Sequence, residues 1–163
     1  MKLHFKKKGI SLVSSNKNQC PLHSFRLNLA RYYQKSDFVD VMGTYDNGNP
    51  IAIADSLTDY HYSIVIENNI TSCYFTEKLL NCFASMTIPV YLGASNIGEY
   101  FNIDGIVHIS PDMNEGEIDK VLSECTDEFY NSRIEAIKDN YYRIREYMCI
   151  EDYLYSHYKE LIT

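Results

Sequence analysis

Residues 63–93 read SIVIENNITSCYFTEKLLNCFASMTIPVYLG, and their hydrophobic period changes twice along this length. Residues 63–67 (SIVIE) form a β-branched, mostly apolar run, which is typical of a buried strand. Apolar residues then recur at helical spacing from Leu79 onward, so a helix is predicted to begin near Thr76. Residues 88–92 (IPVYL) predict the next strand. The stretch therefore predicts a strand–helix–strand unit.

The same alternation extends along the chain. Further short strands rich in Val and Ile are predicted, together with a long helix between the first two: strands at residues 9–14, 38–42 and 106–109, and a helix at 23–34. Short helices alternate with these strands, which predicts a parallel sheet with helices on both faces. We therefore expect one Rossmann-like α/β domain over residues 1–163, with a mainly helical segment at about 115–163. Residues 51–60 fit either a short helix or an extended connection.

Ligands of such sheets bind in the crevice outside the carboxyl ends of the strands. Three loops are expected to meet at that edge, namely residues 14–25, 67–76 and 93–96. Residues with binding chemistry in these loops are therefore the candidates for a ligand site.

Composition limits the function classes. The chain has 163 residues, 45% of them hydrophobic and 23% charged, which is ordinary for one globular domain. A formal net charge of −7 disfavours nonspecific nucleic-acid binding, and no window approaches the roughly 18 apolar residues of a membrane span. Five cysteines without a C-x-x-C pair argue against a disulfide framework and a zinc site. We expect a cytoplasmic setting for this segment, while Golgi-type anchoring elsewhere in a longer protein stays open.

Lys78 lies in the first turn of the predicted Thr76 helix, where the helix dipole already supplies positive charge. One explanation is that an anionic ligand binds there. Arg26 follows the first-strand loop, and its planar guanidinium suits phosphate oxygens. Together the two cations could form a diphosphate clamp. The alternative is that both are solvated surface cations, as most single Lys and Arg residues are.

Other polar residues flank this helix. Glu67 and Asn68 lie at the carboxyl end of the strand at 63–67 and could bond a ribose or sugar, or could simply cap the loop. Glu77 could bond ribose hydroxyls or complement the helix dipole, and Tyr74 could contact a ligand or be one more partly buried ring. The sequence contains no G-x-G-x-x-G, no P-loop and no Asp-x-Asp after a strand, so phosphate binding would be metal-free.

Residues 60–102 resemble the donor-binding signature of α-1,3-fucosyltransferases, glycosyltransferase family 10. The family pattern is a strand ending in Glu-Asn, then Tyr-x-Thr-Glu-Lys, a helix, and a Pro-Val/Ile-aromatic-x-Gly strand. Here these are Glu67-Asn68, residues 74–78 and residues 89–93. Residues 10–18 (ISLVSSNKN) with the following Arg26, and then residues 39–43 (VDVMG), also look like the family's opening of this domain. The resemblance implies the C-terminal, Rossmann-like half of a GT-B glycosyltransferase.

The resemblance implies roles for the charged residues. Arg26 and Lys78 would hold the diphosphate of GDP-fucose, and Glu77 would bind its ribose. The reaction would invert the anomeric centre as an acceptor hydroxyl displaces GDP, without a metal or other cofactor. Cations placed at the diphosphate would then stabilise the charge of the leaving group.

The remaining family positions would shape the donor pocket. Asn68 and Tyr74 would line it, and Glu67 would lie beside the fucose or support the pocket. Family enzymes bind the glycan acceptor through an N-terminal domain that supplies the general base, and we expect both to lie outside this chain. A noncatalytic module that binds a GDP-sugar or a protein partner is the alternative. A flavodoxin-like regulatory domain fits less well, because Asp40 lies inside a predicted strand.

Overall fold

The computed structural model describes residues 6–162 and shows a parallel sheet. Within these residues the strands are β1 (Lys8–Val13), β2 (Val39–Met42), β3 (Tyr60–Ile66), β4 (Ile88–Leu92) and β5 (Val107–His108). They pair in the order β2-β1-β3-β4-β5, and every pairing is parallel. The predicted α/β class is confirmed.

Helices connect and follow the strands. In the described part of the chain the α-helices are α1 (Pro21–Tyr33), α2 (Ile53–Leu57), α3 (Glu77–Ala84), α4 (Glu115–Ser123), α5 (Asp127–Ser132), α6 (Ile134–Arg143) and α7 (Ile150–Ile162). Short 3-10 helices lie at Tyr45–Asn47, Ile97–Glu99, Ile103–Gly105 and Ile144–Tyr147. No helix among residues 6–162 is both long and apolar enough to cross a bilayer.

Successive side chains of β3 point to opposite faces of the sheet and enter two separate cores. Ile64 packs in a cluster that includes Leu29 of α1 and Ile118 of α4. Val65 packs in a second cluster with Leu79 of α3. Helices therefore cover both faces, as the strand–helix alternation predicts.

Several predicted bounds shift. β3 begins at Tyr60, three residues before the predicted strand at 63–67, because Lys8 of β1 pairs with Tyr60. Glu67 comes after the last residue of β3, so the prediction that Glu67 ends that strand was wrong by one position. The undecided segment 51–60 contains α2 followed by the start of β3. The final predicted strand, 106–109, is limited to the two residues of β5.

Candidate functional site

A cleft opens at the carboxyl edge of the sheet between β1 and β3. The chain leaves β1 towards β2 on one side and returns to β3 on the other, so connections diverge at this point. A cavity of about 690 Å³ lies there, within the range of about 300–1,000 Å³ that is usual for small-molecule sites. Its walls come from the ends of β1 and β3, the first two turns of α1 and of α3, and α2.

Two of the three predicted loops contribute to this cavity. Residues of the 14–25 and 67–76 loops line it, whereas none of residues 93–96 does. That third loop instead braces the second one, because the backbone N–H of Cys73 donates to Asn96 Oδ1 at 2.7 Å. The segment after β2, including Gly43 and Ile53, supplies the wall that sequence reasoning did not assign.

Arg26 lies on α1 in the wall of the cavity and is only 8% exposed. Its buried Nε has no hydrogen-bond partner within residues 6–162, and the described carboxylates form no ion pair with it. Burial lowers the pKa of Arg26 from its ordinary value, since desolvation disfavours the charged form. A buried guanidinium in this condition is a strong attractor for an anion.

Lys78 also lines the cavity, but it already has a counter-ion within the protein. Its Nζ lies 3.0 Å from Oε2 of Glu67, whose side chain is fully buried, while the Lys78 side chain keeps 31% exposure. The ion pair with Glu67 thus explains in part why a lysine occupies the first turn of α3, at the positive end of the helix dipole. An anion in the cavity would have to share Lys78 with that carboxylate.

Glu67 holds the start of α3 in place. Its Oε1 accepts the backbone N–H of Thr76 at 2.9 Å, and its Oε2 accepts the Thr76 hydroxyl at 2.8 Å. Thr76 is the N-cap of α3, where its Oγ1 accepts from the backbone N–H of Lys78. Glu67 lies behind the cavity wall, so of the two predicted placements for its side chain the geometry favours support of the pocket.

The other predicted residues divide between the wall and its surroundings. Asn68 and Glu77 line the cavity, and no described residue donates to the exposed Glu77 carboxylate. Tyr74 is half-buried and lies outside the set of cavity-lining residues. Its predicted contact with a ligand stays a prediction.

His23 is a site residue that sequence reasoning missed. It lines the cavity, is 6% exposed, and its Nε2 lies 2.9 Å from Oδ1 of Asn68. Its only signal in the sequence is a position three residues before Arg26, on the same face of α1.

Metal binding has no built site in the described part of the chain, since no group of three or more His, Cys, Asp or Glu side chains there could hold an ion. Metal independence of the reaction stays a prediction, because it concerns a complex that includes substrate.

Comparison with known proteins supports this assignment of the fold and the family. Residues 3–153 match the model of glycosyltransferase family 10 (fucosyltransferase), C-terminal part. Human 4-galactosyl-N-acetylglucosaminide 3-alpha-L-fucosyltransferase 9 is 30% identical over 124 residues, covering 73% of this chain and 33% of that protein. The mouse protein of the same name gives the same figures. The chain therefore spans about a third of the length of these relatives.

Solved structures agree on the fold. The crystal structure of an alpha1,3-fucosyltransferase with GDP-fucose matches with a TM-score of 0.62 at 24% identity, covering 79% of this chain and 38% of that chain. The structure with GDP matches equally well. From the match over residues 3–153, the chain belongs to glycosyltransferase family 10, of which it represents the C-terminal part.

Proposed function

We propose that this chain is the GDP-fucose-binding part of an inverting, metal-independent fucosyltransferase. The observation that carries the proposal is Arg26, a nine-tenths buried cation without a described counter-ion in the wall of a ligand-sized cavity. A nucleoside diphosphate would supply the missing negative charge. The solved alpha1,3-fucosyltransferase with GDP-fucose, which shares this fold, supports the choice of donor.

The two cations of the clamp have different environments, which gives them different tasks. Arg26 is fixed on α1 and has no described partner, so it would bind the diphosphate in the ground state. Lys78 is half-neutralised by Glu67, and its attraction for the donor would grow as charge develops on the leaving phosphate. Glu67 would keep Lys78 within reach by fixing the start of α3.

The reaction in this proposal is a single displacement. An acceptor oxygen bonds to the anomeric carbon while the bond from that carbon to the β-phosphate oxygen breaks, and GDP leaves with the electron pair. The proton of the acceptor hydroxyl goes to a general base. Following the resemblance to the family, we assign this base and the acceptor glycan site to the N-terminal part of the longer relatives.

A noncatalytic role is the second candidate. It is favoured by exposed apolar side chains on α7, where Leu154, Tyr155 and Tyr158 are each more than 40% exposed and could contact a protein partner. In that role Arg26 and Lys78 would bind a GDP-sugar as a signal, or would have only a structural function.

Calorimetric titration with GDP-fucose, GDP and UDP in the presence of EDTA tests the proposal. We expect binding of GDP-fucose and GDP, weaker or no binding of UDP, and loss of binding in Arg26→Ala. Arg31→Ala, on the exposed side of the same helix, is the matched control and should bind like the unaltered chain. A folded chain that binds no guanine nucleotide would refute the donor role. Binding without fucose transfer, measured in the full-length protein with its acceptor, would favour the noncatalytic role.

A further inference from the structure

His23 joins the two loops that form the mouth of the cavity. It lies in the first turn of α1, while its partner Asn68 follows β3, 45 residues later in the chain. The Sγ of Cys20 also contacts the backbone oxygen of Asn68, at 3.6 Å. Both oxygens of Asn68 are therefore held by the beginning of α1.

The hydrogen bonds of His23 determine which ring nitrogen carries the hydrogen. The backbone N–H of Gln19 points at Nδ1 of His23 at 3.1 Å, so Nδ1 must accept. In the neutral ring the hydrogen is then on Nε2, which donates to Oδ1 of Asn68 at 2.9 Å. The ring thus acts as a donor towards Asn68.

This arrangement fixes the direction of the Asn68 amide. Because Nε2 of His23 requires an acceptor, Asn68 must present its oxygen to the ring and its NH₂ group away from it. No described residue accepts from that NH₂ group, and Asn68 lines the cavity. A free amide donor is the chemistry that recognises a phosphate oxygen or a sugar hydroxyl.

We propose that His23 is a positioning residue that orients the Asn68 side-chain amide, so that its NH₂ group donates to an oxygen of the bound sugar nucleotide. This inference rests on the proposed function for the identity of the ligand. His23 acts through Asn68 and does not itself contact the donor.

A double-mutant cycle tests this in the intact chain. We expect His23→Ala to weaken GDP-fucose binding about tenfold, the scale of one hydrogen bond to a charged oxygen, and Asn68→Ala to weaken it at least as much. If His23 acts through Asn68, the double variant binds no more weakly than Asn68→Ala alone. His23→Gln keeps a donor and an acceptor and should recover most of the affinity. His108→Ala, an exposed histidine on β5, is the matched control.

Two ligands separate the possible acceptor atoms. An equal loss of affinity for GDP and GDP-fucose in His23→Ala would assign the amide to a phosphate oxygen. A loss confined to GDP-fucose would assign it to a sugar hydroxyl. Additive losses in the double variant, or an unchanged affinity in folded His23→Ala, would overturn the proposal.

Nitrogen-15 NMR of the free chain gives a reading that does not depend on the ligand. We expect the ring hydrogen of His23 on Nε2 and one ordered pair of side-chain amide signals for Asn68, which His23→Ala should broaden or average. Unchanged Asn68 signals in that variant would refute the positioning role. If the free chain shows these NMR signals but binds no nucleotide, the proposed binding of GDP-fucose is refuted, while the orientation of Asn68 by His23 is established.

Discussion

Arg26→Met should make the free protein more stable while removing nucleotide binding. The substitution keeps the apolar stem and deletes a charge that is 8% exposed and has no described ion-pair partner. Burying a polar group without a partner costs about 1–3 kcal/mol in mutational data, so we expect a gain of that size in the free energy of unfolding. For a chain of this length each kcal/mol raises Tm by about 2–4 °C, which gives an increase of about 2–12 °C.

Differential scanning calorimetry with and without GDP measures both effects. A ligand at a hundred times its Kd stabilises the unaltered protein by about 2.7 kcal/mol, and Arg26→Met should lose that gain. Arg26→Met should therefore melt at a higher temperature than the unaltered protein without GDP, and this advantage should vanish or reverse at that GDP concentration. Arg31→Met, whose side chain is exposed on the same helix, should change neither result. A lower Tm for Arg26→Met without GDP would refute the view that Arg26 is an uncompensated charge, and an equal GDP-induced shift would remove it from the anion site.

Other substitutions test the remaining charged groups. Lys78→Ala should weaken GDP binding by about 1–3 kcal/mol in calorimetry, and an unchanged affinity in the folded variant would exclude Lys78 from the clamp. Glu67→Gln should lower the free energy of unfolding in urea by about 1–3 kcal/mol, because the buried carboxylate accepts hydrogen bonds from Thr76 and Lys78. Glu77→Gln, at an exposed carboxylate, is the control and should have little effect. Equal losses of unfolding free energy in the two variants would contradict this role of Glu67. Burial lowers the pKa of Lys6 to about 8, against an ordinary value near 10.5. Between these pH values the unfolded chain holds a proton that the folded chain has released. The unfolding free energy of the unaltered protein relative to Lys6→Met should therefore rise by up to about 3 kcal/mol from pH 8 to 10.5, and a flat difference would disprove the assignment.

The elements predicted most accurately have strong local signals. β4 has the predicted bounds of 88–92, since five apolar residues end at a glycine. The helix after Thr76 begins where its N-cap predicts. By contrast, the early start of β3 depends on the pairing of Tyr60 with Lys8, far away in the chain. The hydroxyl of the buried Tyr60 also donates to Asp40 at 2.6 Å, and no local pattern reveals either contact.

The site was predictable in place but not in its pairings. The alternation of strands and helices was enough to locate the binding edge, and Arg26 and Lys78 do line the cavity there. The ion pair of Lys78 with Glu67 could not be read from the sequence, because it depends on how the loop between β3 and α3 folds back. The contact between His23 and Asn68 depends on two loops meeting across the sheet, which is a property of the tertiary structure alone.

The position of β1 between β2 and β3 has a consequence for how the protein is made. Within this chain β1 is synthesised before β2 and β3, yet it pairs with β2 on one side and with β3 on the other, where Ser11 is matched to Ser63. Its second neighbour emerges only after some fifty further residues, and closing such long loops slows folding. Until β3 is made, the backbone N–H and C=O groups along that edge of β1 stay unpaired, so the nascent chain is open to aggregation at that stage. A chain that stops before Tyr60 would never complete the centre of the sheet.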